Sequence, residues 1–289
     1  MPWVAGTSRV FGVIAHPIDH VRAPMAFNPL FAERNLPHIM VPIDVAPAQL
    51  QTVIAGLRAI PNFGGLAVTI PHKLPLAKIC DHLGTAAQLT GAVNAVRFDA
   101  DGRLYGDNFD GAGFVAGCRG NGFEVTNKRV LLLGAGGAAR AIAAALCAAD
   151  VASLTIANRD RGKAEQLAAA LHDKAGFAAV DAVGLAGCTG VGFDMIVNST
   201  SLGLKAGDAL PLALDHVDKR TVIADIIMVP AETAWLADAK ARGLAVHYGR
   251  HMLDYQIDLI GTFIGALSQQ GDSPVEFGGR DRYIGRIVT

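Results

Sequence analysis

Short, mostly apolar runs alternate along the chain with longer stretches that carry one apolar face. In the first half, the apolar runs that predict buried strands are residues 10–14, 38–43 and 65–70. The stretches that predict helices are 24–35 and 47–59, and Pro71 suits the first turn of a further helix. A strand–helix–strand order of this kind predicts a mainly parallel sheet.

A second series of strands and helices begins at residue 129. Its predicted strands are 129–133, 153–157, 195–198 and 222–226, and its predicted helices are 138–149, 161–171 and 232–242. A last helix is predicted over 251–269, before a glycine-rich, charged tail. The two series predict an α/β protein with two domains, joined near 110–128, where glycines crowd together. Because ligands bind beyond the carboxyl ends of parallel strands, we expect the site in a cleft between the domains.

The most informative motif is a glycine turn between the strand at 129–133 and the helix at 138–149. It has the spacing G-x-G-x-x-A, with Gly134, Gly136 and Ala139 at the key positions. The first glycine permits the turn, the second lets a pyrophosphate approach, and the small third residue lets helix and strand pack closely. Free N–H groups at the start of the helix attract phosphate. We therefore expect Gly134, Gly136, Gly137 and Ala138 to bind a dinucleotide.

Composition narrows the class of protein further. The chain has 289 residues, of which 51% are hydrophobic, and a net charge of −1, which argues against nucleic acid as a partner. The four cysteines show no C-x-x-C spacing, and the N-terminus shows no signal-peptide pattern. The most apolar stretch, 141–156, is interrupted by Asp150 and is too short for a membrane span. These features predict a cytoplasmic protein with a small-molecule ligand and no membrane or metal site, either a monomer or a homodimer.

Three polar residues follow predicted strands or small-residue turns and are candidates for chemistry. Lys73 lies beyond the strand at 65–70, where a desolvated lysine is a general acid or base; the alternative is a solvated surface lysine. Asp110 lies at the domain join and would orient such a lysine; the alternative is a helix cap. Asn94 follows a small, apolar segment and would bind hydroxyl groups; the alternative is a turn residue.

The order of motifs along the chain resembles the shikimate dehydrogenase family. The matching segments are PIDHVRAPMAFN at 17–28, AVTIPHK at 67–73, GAVNA at 91–95, NFDGAG at 108–113, the glycine turn, NR at 158–159, NSTSLG at 198–203 and MLDYQ at 252–256. These ordered motifs cover nearly the whole chain and are far more specific together than any one alone.

The resemblance implies a fold, a reaction and a set of residues. It implies a substrate-binding and catalytic domain of residues 1–111 plus 251–289 and a Rossmann NAD(P)-binding domain of 112–250. It implies catalysis by Lys73 and Asp110 and substrate contacts from Thr69, Asn94 and Gln256. The implied reaction is a hydride transfer that interconverts 3-dehydroshikimate and shikimate, or a closely related cyclic hydroxy acid. That reaction belongs to aromatic amino acid biosynthesis.

Several polar positions of the family pattern are apolar in this chain. Val21 and Ala23 replace two serines that hold the substrate carboxylate in the family, and Ala67 and Phe109 replace an asparagine and a threonine. Lost donors weaken binding of a polar group. Arg22 or His20 would supply a replacement cation, or Arg22 faces solvent at a helix start. Two alternatives therefore stay open: a dehydrogenase of a less polar substrate, and a non-catalytic NAD(P)-binding sensor.

The end of the second Rossmann strand bears on which nicotinamide cofactor binds. Asn158 stands where an acid selects NAD, and Arg159 suits the 2′-phosphate of NADP. Asp160 either repels that phosphate or caps the next helix. We expect NADP, with NAD as the alternative. The remaining expected cofactor contacts are Ser199, Thr200, Met228 and Gly249.

Overall fold

The computed structural model describes residues 4–19 and 21–267, except for the side chains of 174 and 175. The chain divides into two compact units. Among the described residues, the first unit contains those up to Phe109 together with 256–267, and the second runs from Asp110 to Tyr255.

The first unit is built on a six-stranded sheet. Its strands are β1 (Arg9–Ala15), β2 (His38–Asp44), β3 (Phe63–Val68), β4 (His82–Leu83), β5 (Ala95–Phe98) and β6 (Leu104–Asp107). Its helices are α1 (Ala23–Glu33), α2 (Leu50–Arg58), α3 (Lys73–Ala77) and α4 (Thr85–Thr90), with a 3₁₀ turn at Pro47–Gln49. The strand order is β2-β1-β3-β5-β6-β4, and β5 runs antiparallel to its two neighbours while the other pairs are parallel.

All six residues of β3 are buried, which explains its continuous apolar sequence, because a strand covered on both faces needs no polar side. The strand predicted at 65–70 therefore lies two residues earlier, at Phe63–Val68. The cis peptide bond between Ile70 and Pro71 follows it, and α3 begins at Lys73.

The second unit is built on a sheet of six parallel strands. The strands are β7 (Arg129–Leu133), β8 (Ser153–Asn158), β9 (Val180–Gly184), β10 (Met195–Asn198), β11 (Val222–Asp225) and β12 (Ala245–His247). The helices are α5 (Asp110–Gly120), α6 (Gly137–Ala148), α7 (Arg161–Ala175), α8 (Ala234–Ala241) and α9 (Gly249–Phe263), whose residues from Gln256 onward belong to the first unit. The order β12-β11-β10-β7-β8-β9 is that of a Rossmann sheet.

The apolar stretch 141–156 forms most of α6, the loop after it and the start of β8. All residues of β7 except Arg129 are buried, and the buried side chains of α6 are mostly alanines, which allow a helix to lie close to a sheet. Within 4–19 and 21–267, no helix is long and apolar enough to cross a membrane.

Glycines shape two further helices. The glycine-rich join at 110–128 contains helix α5 (Asp110–Gly120), whose glycines pack against other helices: a Cβ on Gly111 would lie 1.9 Å from the Ala141 carbonyl oxygen of α6. The last helix ends at Phe263 rather than 269, because Gly265 has a φ of 73° and left-handed backbone ends a helix. The rest of that prediction, beyond 267, lies outside the described residues.

Candidate active site

Strand ends in the first unit bring three predicted site residues to one edge of its sheet. Thr69 directly follows β3, and its N–H donates to the carbonyl of Ile14 at the end of β1 (3.1 Å). Asn94 directly precedes β5, and its carbonyl accepts the N–H of Val68 (2.8 Å). The Lys73 carbonyl accepts the N–H of Val93 (3.0 Å). Thr69, Lys73 and Asn94 therefore share one edge because their backbones are joined there.

Lys73 is half-buried and is the first residue of α3. The residue before it, His72, is fully buried, and its Nε2 lies 2.8 Å from the carbonyl oxygen of Val45 after β2. Hydrogen bonds on both sides thus fix the backbone that carries Lys73.

The Asn94 side chain is buried and takes part in positioning the chain that leads to Asp110. Its Oδ1 accepts the N–H of Phe109 (2.8 Å). Asp110 is the next residue and opens α5 in the second unit. Gln256, on α9, is also buried in the first unit. The structure therefore gives Asn94 a supporting role that the sequence did not predict.

Asp107 supports the same edge from the end of β6. Its Oδ1 accepts the N–H groups of Ala87 (3.0 Å) and Asn108 (2.8 Å), and its backbone carbonyl accepts the N–H of Asn94 (2.9 Å). Burial raises the pKa of this carboxyl to about 6, although the two N–H donors oppose the shift. The carboxylate thus ties α4 to the strand end next to Asn94.

The four apolar residues that replace polar positions of the family pattern lie in two different surroundings, one buried and one half-buried. Ala67 and Phe109 are buried, and the Phe109 ring packs 5.0 Å from the Phe263 ring, centroid to centroid. Val21 and Ala23 are half-buried where α1 begins, and Arg22 is exposed. His20 lies outside the described residues. None of the four replacement side chains can donate a hydrogen bond, whereas the neighbouring Arg22 can.

In the second unit, the glycine turn contains two kinds of glycine: Gly134 is needed for packing within the protein, whereas Gly136 and Gly137 leave open space beside the backbone. Gly134 has a φ of 112°, and a Cβ there would lie 2.8 Å from the Ser199 Oγ. Ser199 donates through its N–H (2.9 Å) and Oγ (2.6 Å) to the carbonyl of Leu133. A Cβ on Gly136 or Gly137, by contrast, would meet nothing within 4 Å. That open space at the start of α6 fits a pyrophosphate.

A cavity of about 460 Å³ opens beside the glycine turn. It is lined by Ala135, Gly136, Gly137, Arg140, Asn158, Arg159, Asp160, Lys163 and Gln166. Three of its side chains are cationic and one is anionic. The cavity therefore combines a glycine-lined wall with positive charge, which is the chemistry that a phosphorylated ribose requires.

The predicted cofactor-selecting residues lie at the end of β8. The Asn158 Nδ2 donates to the carbonyl of Asp160 (2.8 Å), which fixes the turn into α7. Arg159 is exposed between them. Asp160 occupies the N-cap position of α7, but its side chain makes no cap hydrogen bond. Of the two roles predicted for Asp160, the structure does not show the cap.

Thr200 belongs to a polar network that supports two loops. The Asn198 Oδ1 accepts both the N–H (3.0 Å) and the Oγ1 hydrogen (2.7 Å) of Thr200. The Asn198 Nδ2 donates to the Asp225 carboxylate (3.1 Å), which also accepts from Thr233 Oγ1 (2.9 Å). Burial raises the pKa of Asp225, and its hydrogen bonds oppose the shift. The network fixes the backbones that follow β10 and β11.

Met228 and Gly249 lie near each other in the second unit, because Gly249 packs against the backbone segment that follows β11 and leads to Met228. Met228 is 41% exposed, so its apolar side chain is available for contact. A Cβ on Gly249 would lie 2.5 Å from the carbonyl oxygens of Ile226 and Ile227, so only glycine fits where α9 begins.

Buried His247 at the end of β12 lies beside half-buried His251 of α9 in the same unit. The Nδ1 atoms of His247 and His251 lie 3.3 Å apart, and burial lowers the pKa of His247 to about 4. Within the described ranges, no cluster of three or more His, Cys, Asp or Glu is arranged for a metal ion.

Sequence reasoning missed three residues that line the cavity: Arg140, Lys163 and Gln166. Arg140 lies in the first turn of α6 and Lys163 in the first turn of α7. The signal was available, because a side chain in the first turn of a helix lies near any phosphate held at that helix end.

Comparison with known proteins assigns the chain to a family. Residues 13–96 match the shikimate dehydrogenase substrate-binding domain and 119–201 match shikimate/quinate 5-dehydrogenase. A shikimate dehydrogenase (NADP(+)) of Rubrobacter xylanophilus is 40% identical over 89% of this chain and 90% of its own length.

Two solved structures are similar throughout. A shikimate dehydrogenase in complex with NADP⁺ is 32% identical, with a TM-score of 0.80 and 91% of each chain covered. A ligand-free 5-ketofructose reductase of Gluconobacter sp. strain CHM43 is 34% identical, with a TM-score of 0.80, covering 89% of this chain and 92% of its own. The chain therefore belongs to the shikimate dehydrogenase family, whose members are NAD(P)-dependent oxidoreductases that act on a CH–OH group.

Proposed function

We propose that the protein is an NADP-dependent dehydrogenase that interconverts 3-dehydroshikimate and shikimate, or a closely related cyclic hydroxy acid. The observation that carries the proposal is the cavity beside the glycine turn, where open space at Gly136 and Gly137 meets the cations of Arg140, Arg159 and Lys163. The chain's NADP-dependent relatives support the same assignment.

The second unit supplies the groups that would hold the cofactor. Backbone N–H groups at the start of α6, at Gly136 and Gly137, would bind the pyrophosphate, and Arg159 and Lys163 would bind the 2′-phosphate. Ser199, Thr200, Met228 and Gly249 complete the proposed set. Bound NADP supplies the hydride acceptor, and its reduced form supplies the hydride donor.

Lys73 and Asp110 are the proposed catalytic residues. The Lys73 ammonium donates a proton to the substrate oxygen during reduction, the neutral Lys73 amine accepts the hydroxyl proton during oxidation, and the Asp110 carboxylate orients the reacting hydroxyl. Thr69, Asn94 and Gln256 are proposed to bind ring substituents. Because hydrogen bonds fix the backbones of Lys73 and Asn94, these groups need little reorganisation when substrate binds.

Replacing Lys73 tests the catalytic assignment. We expect Lys73→Met to lower kcat by about 10²- to 10⁴-fold, the usual contribution of a general acid or base, without changing the Kd for NADP. Lys78→Met is the matched control, because Lys78 is the exposed C-cap residue of the same helix. Wild-type turnover by Lys73→Met would refute the proton-transfer role.

A second candidate function is reduction of an uncharged polyhydroxy ketone. Val21 and Ala23 at the start of α1 favour it, because neither side chain donates a hydrogen bond to a carboxylate. The related 5-ketofructose reductase acts on a substrate that its name identifies as a keto sugar.

The double substitution Val21→Ser with Ala23→Ser separates the two candidates. If the natural substrate is uncharged, the double variant should gain kcat/KM for shikimate and lose it for the keto sugar. If shikimate is the substrate and Arg22 holds its carboxylate, Arg22→Gln should raise KM for shikimate by about tenfold or more, the size of a charge-assisted hydrogen bond.

We also propose that the enzyme acts in the cytoplasm as a monomer or homodimer and without nucleic acid. A net charge of −1 gives no electrostatic attraction to nucleic acid. Cell fractionation and light scattering of the purified protein test these points, and a membrane-bound pool or a larger assembly would contradict them.

A further inference from the structure

We propose that Asp160 is a specificity-determining residue that lowers the preference of the cofactor site for a 2′-phosphate, so that the site accepts NAD as well as NADP. The proposal rests on the proposed cofactor site beside the glycine turn. It concerns the ribose end of that site, whereas the proposed chemistry involves Lys73 and Asp110.

The local structure leaves the Asp160 carboxylate available to a ligand. Asp160 is the N-cap of α7, yet its side chain accepts no hydrogen bond from the first turn, although aspartate commonly does so at this position. Its side chain lines the cavity. Its Oδ2 lies 3.9 Å from the Lys163 Nζ, at the outer limit of an ion pair, and both side chains are more than half exposed. The helix therefore does not occupy this carboxylate.

The backbone holds Asp160 at the turn where ribose selection takes place. The Asn158 Nδ2 donates to the Asp160 carbonyl (2.8 Å), so Asp160 stays two residues beyond the end of β8 in a fixed turn. The end of the second Rossmann strand is the place where an acid binds the ribose 2′-hydroxyl in NAD-binding proteins. Asn158 cannot supply that charge, and Asp160 is the acidic side chain among the residues that line the cavity.

Charge explains why one carboxylate here changes selectivity. Arg140, Arg159 and Lys163 contribute three positive charges to the cavity lining and Asp160 contributes one negative charge, a net of plus two. The carboxylate repels a 2′-phosphate but accepts a hydrogen bond from a free 2′-hydroxyl. NADP and NAD are therefore affected in opposite directions by the same side chain.

Binding of cofactor fragments tests the proposal without any turnover. Isothermal titration calorimetry would give the Kd of 2′,5′-ADP and of 5′-AMP for the wild-type protein, Asp160→Asn and Asp160→Ala. We expect Asp160→Asn to bind 2′,5′-ADP about fivefold more tightly, the size of one charge interaction near the surface. We expect Asp160→Ala to bind 5′-AMP about fivefold more weakly, because it loses the acceptor for the hydroxyl.

Asp173→Asn is the matched control. Asp173 is an exposed acid near the other end of α7, about 20 Å away along the helix, which exceeds the screening length at physiological salt. It should leave both Kd values unchanged. A ratio of the two Kd values that stays within about twofold of wild type in both Asp160 variants would overturn the proposal.

These binding measurements test the role of Asp160 separately from the proposed reaction. If no substrate is turned over but the Asp160 variants shift the ratio as expected, the reaction assignment fails and the selectivity proposal stands. If shikimate is turned over but the ratio does not move, only the selectivity proposal fails. Binding of neither fragment to the wild-type protein would overturn both the cofactor site and the role of Asp160.

Discussion

Replacing Gly136 with alanine should weaken cofactor binding while leaving the fold intact. Gly136 has extended backbone, with φ −79° and ψ −169°, which any residue adopts, and an added Cβ would meet nothing within 4 Å. The substitution therefore introduces neither strain nor a clash in the protein alone. The added methyl group enters the space that we assign to the pyrophosphate. Its effect should appear only when the cofactor binds.

The expected size follows from the cost of placing a methyl group in occupied space. Overpacking costs about 1–3 kcal/mol, which corresponds to a Kd for NADP that is about 5- to 150-fold weaker. The free energy of unfolding should fall by no more than about 1 kcal/mol, because Gly136 is the N-cap of α6, where glycine is preferred over alanine. Calorimetry gives the Kd, and urea denaturation gives the stability.

Gly134→Ala is the informative comparison. At Gly134, φ is 112° and the new Cβ would lie 2.8 Å from the Ser199 Oγ, so we expect a loss of stability of about 1–3 kcal/mol even without cofactor. If Gly136→Ala binds NADP like wild type, the space beside Gly136 is not the pyrophosphate site and the reasoning is refuted. If Gly136→Ala unfolds as readily as Gly134→Ala, the distinction between packing and binding glycines is wrong.

Two further predictions concern stability. Gly111→Ala should destabilise the protein by about 1–3 kcal/mol or more, because its Cβ would lie 1.9 Å from the Ala141 carbonyl oxygen. Gly56→Ala within α2 should stabilise the protein by about 0.5–1 kcal/mol, because a Cβ there meets nothing within 4 Å and alanine is the better helix former. If urea denaturation gave both changes the same sign, this prediction would be wrong. His247 has a pKa of about 4 in the folded protein against 6.5 as its ordinary value, so the unfolded chain binds more protons between these values and stability falls as pH drops from 6.5 to 4. His247→Phe should remove up to about 1.4 kcal/mol per pH unit of that slope, and equal slopes for variant and wild type would show that this histidine does not cause it.

The Rossmann half of the fold was the more predictable half. The apolar runs at 129–133 and 195–198 coincide with β7 and β10, and the glycine turn lies where the motif placed it. These elements were predictable because a buried parallel strand is apolar throughout and the turn has a fixed glycine spacing. Short strands at the sheet margins, such as β12 with three residues, carry too little periodicity to be recognised.

In the other half, the hairpin of β5 and β6 was missed although the sequence carried a signal. Asp101-Gly102 is a typical hairpin turn, and Gly102 has a φ of 77°. Arg97 interrupts the apolar pattern of β5, yet it is buried because it pairs with Asp99 (2.7 Å) and stacks on Tyr105. A buried charge of this kind is invisible to hydrophobic patterns, because its burial depends on contacts that the fold brings together, such as the one with the Tyr105 ring.

Helix α5 shows the opposite difficulty. Its glycines lower helix propensity, so the sequence indicates a domain join here more clearly than it indicates a helix. The structure uses them for close contact: a Cβ on Gly117 would lie 2.9 Å from the His251 carbonyl oxygen, and one on Gly120 would overlap the Tyr255 hydroxyl. Tertiary packing therefore outweighs propensity. For the site, the motifs pointed to Arg159, which lines the cavity, but Arg140 and Lys163 were found only once the cavity was visible. The catalytic role of Lys73 stays a prediction.

The measurement that tests the central claim most directly is reduction of NADP by the purified protein with shikimate, followed at the absorbance of the reduced nicotinamide. The same assay should be run with quinate, with uncharged ring alcohols, with the reduced forms of keto sugars, and with Lys73→Met. The account predicts NADP reduction that depends on shikimate or a close cyclic hydroxy acid and is lost in Lys73→Met. Absence of reduction with every substrate, in a protein that binds NADP, would contradict it.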